Sequence, residues 1–398
     1  MCIYALQIGL FVLCIIVNLA PRLLEWPSIL FTNNTNNTIR TSKHSVKITQ
    51  FTDLHLGESP ILDNATFELM HHIMTEEQPD FVVFTGDQIS GYAVLTPQMG
   101  WDLLKQALSI PATFNTPFAT LYGNHDDELY KLDTLLWFYY TNFGIFAVAV
   151  ILIIVFAYSG QYSIPVSCKA NTCYKLRLCF TVILAGACTL LIITAPTHVP
   201  RSWLLNQEIN HFPLLSYSHQ GPLSVHGVSN YRLILEGPEA SMAMYFMDTG
   251  GGRIYQHVHP DQIQWLHEQG TSNASLAFMH IPPESYSGLY DSSICINNIA
   301  GQTPEPCSGS ADLVDMLGRL GTLAVFVGHD HNNAWCCPYK TMQLCYGQHS
   351  GFGGYSMFPE RGARIINVNM PSQSHISVDT WVHMHNQVPK LPGLLIIQ

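Results

Sequence analysis

Between Val46 and Asp126 the chain runs strand, helix, strand, helix, strand, and each strand-like run ends on polar residues of one kind. The segments are VKITQFTDLH, DNATFELMHHIMTEE, PDFVVFTGD, TPQMGWDLLKQALSI and PFATLYGNHD. Short β-branched runs alternating with longer amphipathic stretches predict an α/β layer structure with right-handed crossovers. In such a sheet ligands bind at the carboxyl ends of the strands, where these polar residues fall. The first helix is expected to be capped by Asp63 or Asn64.

The rhythm resumes after Pro200. VSNYRLILEG and ASMAMYFMDTG alternate as strands, HPDQIQWLHEQG reads as a helix, and ASLAFMH ends a strand at His280. SADLVDMLGRLG precedes the apolar run Leu323 to Val327, which leads into His329, Asp330 and His331. His-x-His sends both imidazoles to one side, because side chains repeat with period two. TMQLCYGQHSGFGGYS and GARIINVNM read as closing strands joined by a Gly-rich loop.

With 398 residues and 47% hydrophobic content, the chain has ample material for one large domain or two ordinary ones. Lys and Arg number 17 against 28 Asp and Glu, a formal charge of −11 with no basic run to track a phosphate backbone. No nucleic-acid binding is expected, although a metal site can still draw in one small phosphate group.

The opening MCIYALQIGLFVLCIIVNL carries no charge before Arg22, so residues 1–20 are expected to be a signal peptide or signal anchor. That places the chain in the secretory pathway, secreted or membrane-anchored, with its folded domain lumenal or extracellular. Asn-x-Ser/Thr sequons at Asn33, Asn36, Asn64 and Asn273 suit a glycoprotein there. Residues 21–45, with the Asn/Thr-rich FTNNTNNTIRTSKHS, read as a polar linker, and the domain begins near Val46.

Residues 46–134 and 197–398 are the two parts of this domain, divided by an apolar insertion at 135–196. Its first half, LLWFYYTNFGIFAVAVILIIVFAY, has no charged residue, and its second, LRLCFTVILAGACTLLIITAP, has only Arg177. Each is long enough to span a bilayer. A transmembrane hairpin, a gene-model artefact and a buried helix pair are three open readings. Of eleven cysteines, five lie downstream. In an oxidising compartment Cys295 is expected to pair with Cys307, and Cys336 or Cys337 with Cys345, leaving one thiol.

Five strand ends now carry metal-type ligands: Asp53 and His55, Asp87, Asn124 and His125, His280, then His329 and His331. In this order the chain resembles the calcineurin-like metallophosphoesterases, whose blocks run D-x-H, G-D, G-N-H-D/E, H and G-H-x-H. More narrowly, GDQISG, GNHDDE, GHDHNN and LCYGQHSGFGGY resemble phosphatases related to the purple acid phosphatases. The resemblance implies a four-layer α/β/β/α sandwich and two metal ions about 3.5–4 Å apart, a spacing that clamps both the attacking and the leaving oxygen of a phosphoryl transfer.

By the family pattern Asp53, His55, Asp87 and His331 hold one ion, and Asp87, Asn124, His280 and His329 hold the other. Mixed nitrogen and oxygen ligation suits Fe, Zn or Mn. His125 is expected to contact the phosphate or protonate the leaving group, with Asp126 orienting its other ring nitrogen. Purple acid phosphatases carry an iron-binding tyrosine shortly after the Gly-Asp pair. Here Ser90 stands at that position, and Tyr92, two residues on, is expected to face elsewhere.

The resemblance thus implies hydrolysis of a phosphomonoester, on a phosphorylated small molecule or phosphoprotein, by a hydroxide held between the metals. The alternatives are a phosphodiesterase acting on nucleotide or lipid head groups, and a catalytically impaired membrane binding protein whose insertion displaces the Asn124–His125 loop. His71 and His72 are expected on an exposed helix face, His257 and His259 outside the site, and GFGGY in a turn.

Overall fold

The computed structural model describes residues 37–129, 198–289, 293–296, 301–385 and 394–397. The expected leader, the apolar insertion at 135–196, and Asn33 and Asn36 lie outside the described residues. Among the described residues no helix is long and apolar enough to cross a membrane.

Two mixed sheets carry the chain. The first takes its strands in the order β1 (Thr38–Arg40), β5 (Tyr231–Glu236), β6 (Ser241–Met247), β7 (Ser275–Met279), β8 (Thr322–Val327), β10 (Met342–Tyr346) and β9 (Cys336–Tyr339). The second runs β13 (Leu394–Ile397), β12 (His375–Met384), β11 (Gly362–Ser372), β2 (Ser45–Phe51), β3 (Phe81–Thr85) and β4 (Phe118–Leu121). β2, β3 and β4 are mutually parallel, as are β6, β7 and β8.

Alternation along the strands sorts the core into three apolar layers. In β3, Phe81 and Val83 meet β5, β6 and β7 of the other sheet, whereas Val82 and Phe84 face α1 (Pro60–Glu77), α2 (Pro97–Thr113) and α3 (Arg201–His211). In β8, Ala324 and Phe326 join the central layer, while Val325 and Val327 meet α4 (Pro260–Glu268) and α5 (Leu313–Arg319). Helix, sheet, sheet, helix is the layer order the resemblance implied.

Several local expectations are corrected. α1 begins before Asp63, because the Ser59 side chain accepts from the Ile61 amide and Pro60 supplies a preset φ in the first turn. Asp63 instead accepts the Gly57 amide at 2.9 Å. Thr38–Arg40, placed by composition in the linker, pairs in parallel with β5 as an edge strand.

The disulfides are Cys295–Cys337 and Cys336–Cys345, and Cys307 is the buried free thiol. Cys336 and Cys345 are register partners on β9 and β10, which brings their side chains together on one face. Cys337 points to the other face and meets the loop that carries Cys295.

Flanking the insertion, Glu128 and His198 form an antiparallel bridge, and the Val199 amide donates to Asp127 O at 2.9 Å. The chain segments immediately flanking residues 130–197 are thus paired directly to each other.

Candidate metal centre

Strand ends from both sheets converge. β2 runs into Asp53 and His55, β3 into Asp87, β4 into Asn124 and His125, β7 into His280, and β8 into His329 and His331. The backbone there is unusual. Eight described non-glycine residues have positive φ, and four of them are Asp53 (56°), His55 (47°), Asp87 (52°) and His329 (74°). Left-handed backbone at such residues costs about 1–3 kcal/mol each and concentrates where a site demands it.

Two glycines make room for the close approach. A Cβ on Gly86 would lie 2.4 Å from His280 Nδ1, and one on Gly123 would lie 2.2 Å from Asp87 Oδ1. The Gly-Asp and Gly-Asn-His blocks therefore need glycine because a ligand side chain fills the space.

Asp53, His55 and His331 present donor atoms within 4.8 Å of one another, and so do Asp87, His280 and His329. Asn124 Oδ1 lies 3.1 Å from His280 Nε2. Asp87 Oδ2 joins the groups, 3.2 Å from His280 Nε2 and 3.7 Å from His55 Nε2. His55 Nε2 and His331 Nε2 face each other at 3.0 Å. The structure thus brings together all seven residues expected to be ligands.

The donor chemistry fits metal ions. His280 Nδ1 donates to Thr85 O at 2.8 Å and His331 Nδ1 to Tyr355 O at 2.7 Å, which leaves both Nε2 lone pairs pointing inward. Burial, with the charge of His280, lowers His329 to about 3, and burial lowers His55 well below its ordinary value. Burial works against charge on His280 too, yet Asp87 beside it raises that pKa to about 9.

The surroundings redistribute two expected roles. Asp126 is fully buried and accepts the amides of Gly123 (2.7 Å), Asp87 (2.9 Å) and Ile89 (2.9 Å). It does not orient His125, because its carboxylate is turned into the backbone and braces the β3 and β4 loops. Burial and the charge of Asp87 push its pKa up to about 7.

Glu128 is the partner of His125, with Oε2 2.8 Å from Nδ1. Burial opposes charge on His125, but the Glu128 hydrogen bond and the Asp87 charge raise its pKa to about 9. Glu128 was visible in the sequence as the last residue of GNHDDE. Spacing alone did not say which acid the tight turn would bring to the ring.

Ser90, at the expected tyrosine position, lies 2.9 Å from His55 Nδ1. Tyr92 does not face elsewhere: its hydroxyl is 3.3 Å from Ser90 Oγ, and its ring stands edge-on to His125 at 5.4 Å. The reason is Glu58, whose carboxylate accepts from the Tyr92 hydroxyl and so draws the ring inward. Buried His349 packs on His331 with ring centroids 4.1 Å apart. Its loop includes GFGGY, an irregular turn that wraps His55 and His331.

A further buried cation holds the loops together. Arg201 donates to Asp127 Oδ2 (3.0 Å), Gly123 O (2.8 Å) and Gly251 O (3.0 Å), and pairs with Asp248. Elsewhere, His71 is exposed on α1 and His72 half-buried. His257 and His259 form a separate group with His226, whose ring stacks on His259 at 3.9 Å.

Residues 46–176 match the calcineurin-like phosphoesterase family. The chain is 23% identical over 381 residues to "Probable inactive purple acid phosphatase 28" of Arabidopsis thaliana, covering 84% of this chain and 77% of that protein. It is 24% identical over 398 residues to "Phosphatase DCR2" of Saccharomyces cerevisiae, covering 88% of this chain and 55% of that one. Among solved structures, a dimetal phosphatase from Danio rerio aligns with a TM-score of 0.43 at 12% identity, over 88% of this chain and 98% of its own.

Proposed function

Because this chain resembles the calcineurin-like phosphoesterases in sequence and in layer order, we propose that it is a two-metal phosphatase acting on phosphomonoesters. The observation that carries the proposal is the position of Asp87, whose one carboxylate oxygen sits between His55 and His280 nitrogens and so joins the Asp53–His55–His331 group to its own group with His280 and His329. Asp53, His55, Asp87 and His331 would hold one ion; Asp87, Asn124, His280 and His329 would hold the other. Fe, Zn or Mn would supply there the positive charge that binds a phosphoryl group and lowers the pKa of water.

The chain's own residues do the rest. His125 is about a third exposed at the edge of the centre, so its free Nε2 can reach a phosphate oxygen or a leaving group. Glu128 sets that tautomer by accepting at Nδ1. Asp126 and Arg201 fix the backbone from which Asn124 and His125 project. The monoester choice rests on the relatives, and their names pull two ways: the yeast protein is called a phosphatase and the Arabidopsis one a probable inactive purple acid phosphatase. The seven ligand positions keep the residue types of the calcineurin-like pattern, which favours activity, while the tyrosine position of the purple acid phosphatases holds Ser90. The two disulfides support export through an oxidising compartment.

The test compares two variants of the full chain on p-nitrophenyl phosphate and its bis ester, with metal content measured beside turnover. Asp87→Asn should lose metal and activity together, whereas His125→Ala should keep both ions and lose turnover. Faster turnover of the bis ester would move the assignment to a diesterase. Equal loss of metal in both variants would remove the role given to His125.

A further inference from the structure

The ligand histidines differ in what stands behind them. His280 and His331 each donate Nδ1–H to a backbone carbonyl, Thr85 O and Tyr355 O. A carbonyl only accepts, so the proton is fixed on Nδ1 and Nε2 is free for a metal. His55 faces the Ser90 hydroxyl instead, at 2.9 Å. A hydroxyl can accept from Nδ1–H or donate to bare Nδ1, and the second choice would place the proton on Nε2. That choice has a competitor on its side: His331 Nε2, 3.0 Å away, would accept such a proton in the metal-free centre.

Glu58 resolves the ambiguity. Its Oε1 is 2.7 Å from Ser90 Oγ and also accepts from the Tyr92 hydroxyl and from the Gly354 amide at 3.0 Å. A carboxylate oxygen taking three donors offers none, so the Ser90 hydrogen must point to Glu58. The remaining Ser90 lone pairs then face His55 and can only accept. The direction runs His55 Nδ1–H to Ser90 Oγ–H to Glu58, and Nε2 is left bare toward the centre.

We propose that Glu58 is a positioning residue that, through Ser90, fixes the metal-binding tautomer of His55. This gives the Ser90 position a task in a chain that lacks the tyrosine ligand of the purple acid phosphatases. The inference rests on the two-metal reading of the centre. It concerns one of the two ions, the one His55 would hold, since His280, assigned to the other ion, is backed by Thr85 O and not by Glu58.

The experiment is stepwise Zn2+ titration by calorimetry into metal-free full-length protein, for wild type, Glu58→Ala, Ser90→Ala and the double variant. Partners standing behind metal-ligating histidines are worth about 10–100-fold in affinity. Glu58→Ala should weaken one of two Zn2+ steps by that order and leave the other unchanged. The double variant should bind no more weakly than Ser90→Ala alone, because Glu58 acts through that hydroxyl. Glu58→Gln, which keeps a carbonyl oxygen for Ser90 and the same size, should recover most of the loss and guards against a folding defect. Turnover should fall in kcat with KM little changed.

Two unchanged Zn2+ steps in Glu58→Ala, or losses that add in the double variant, would overturn the role of Glu58 while leaving the two-metal reading intact. A wild-type chain that takes up fewer than two Zn2+ ions would overturn both.

Discussion

Replacing Arg201 with Met tests how the loops of the centre are held. The guanidinium is 2% exposed and serves two carboxylates, Asp127 and Asp248, together with the carbonyls of Gly123, Gly250 and Gly251. Met keeps most of the volume and removes every donor. Stranding one partner of a buried ion pair costs about 3–5 kcal/mol. Two stranded acids do not double that figure, because a buried carboxylate can take up a proton instead of remaining charged. Burial already raises the Asp127 pKa against the attraction of Arg201. Without Arg201 it rises further, so the deficit should grow as pH climbs through that value and shrink in acid.

Thermal unfolding at pH 5.5 and pH 8 reads this directly. At roughly 2–4 °C per kcal/mol for a large domain, Arg201→Met should melt about 6–20 °C lower at pH 8, and distinctly less so at pH 5.5. Adding Asp127→Asn and Asp248→Asn should return part of the loss. A melting change under about 2 °C, or a deficit independent of pH, would refute the reasoning.

Glu208 gives a second pH signature. It is fully buried among the hydroxyls of Thr120, Ser216 and Ser218, and burial raises its pKa above the ordinary 4.5. The folded state prefers its protonated form, so its contribution is complete below about 4.5 and lost as pH rises through the raised value. Glu208→Gln should flatten the fall of the melting profile above pH 4.5. The Cys295–Cys337 bridge spans 42 residues, and closing such a loop is worth about 4 kcal/mol in the chain-entropy account. Cys295→Ser with Cys337→Ser should lower the denaturant midpoint accordingly, while removing Cys307, which is unpaired, should not reproduce that loss.

Much of this arrangement is written locally. A ligand just past a strand end needs only the strand and a turn to reach its place, which is why Asp53, Asp87, His280 and His329 could be read from short runs. Glu58 was not legible, because its meaning depends on Ser90 and Gly354, which reach it only across the fold. β1 was hidden for a related reason: three residues with linker composition become a strand by pairing with β5, nearly two hundred positions away. The start of α1 was misread because Ser59, Asp63 and Asn64 are all capable caps, and Pro60 decides among them. Disulfide partners were ambiguous because adjacent Cys336 and Cys337 point to opposite faces, a fact that depends on knowing β9 is a strand.

The bridge between Glu128 and His198 has a consequence for how the chain is organised. The two described ends that flank residues 130–197 are zipped side by side. The described residues on either side of 130–197 are therefore held by the domain's own pairing at this stem. Such a stem is where nature and engineers alike exchange one insert for another. The metal ligands on either side are spliced in space even where they are far apart in sequence.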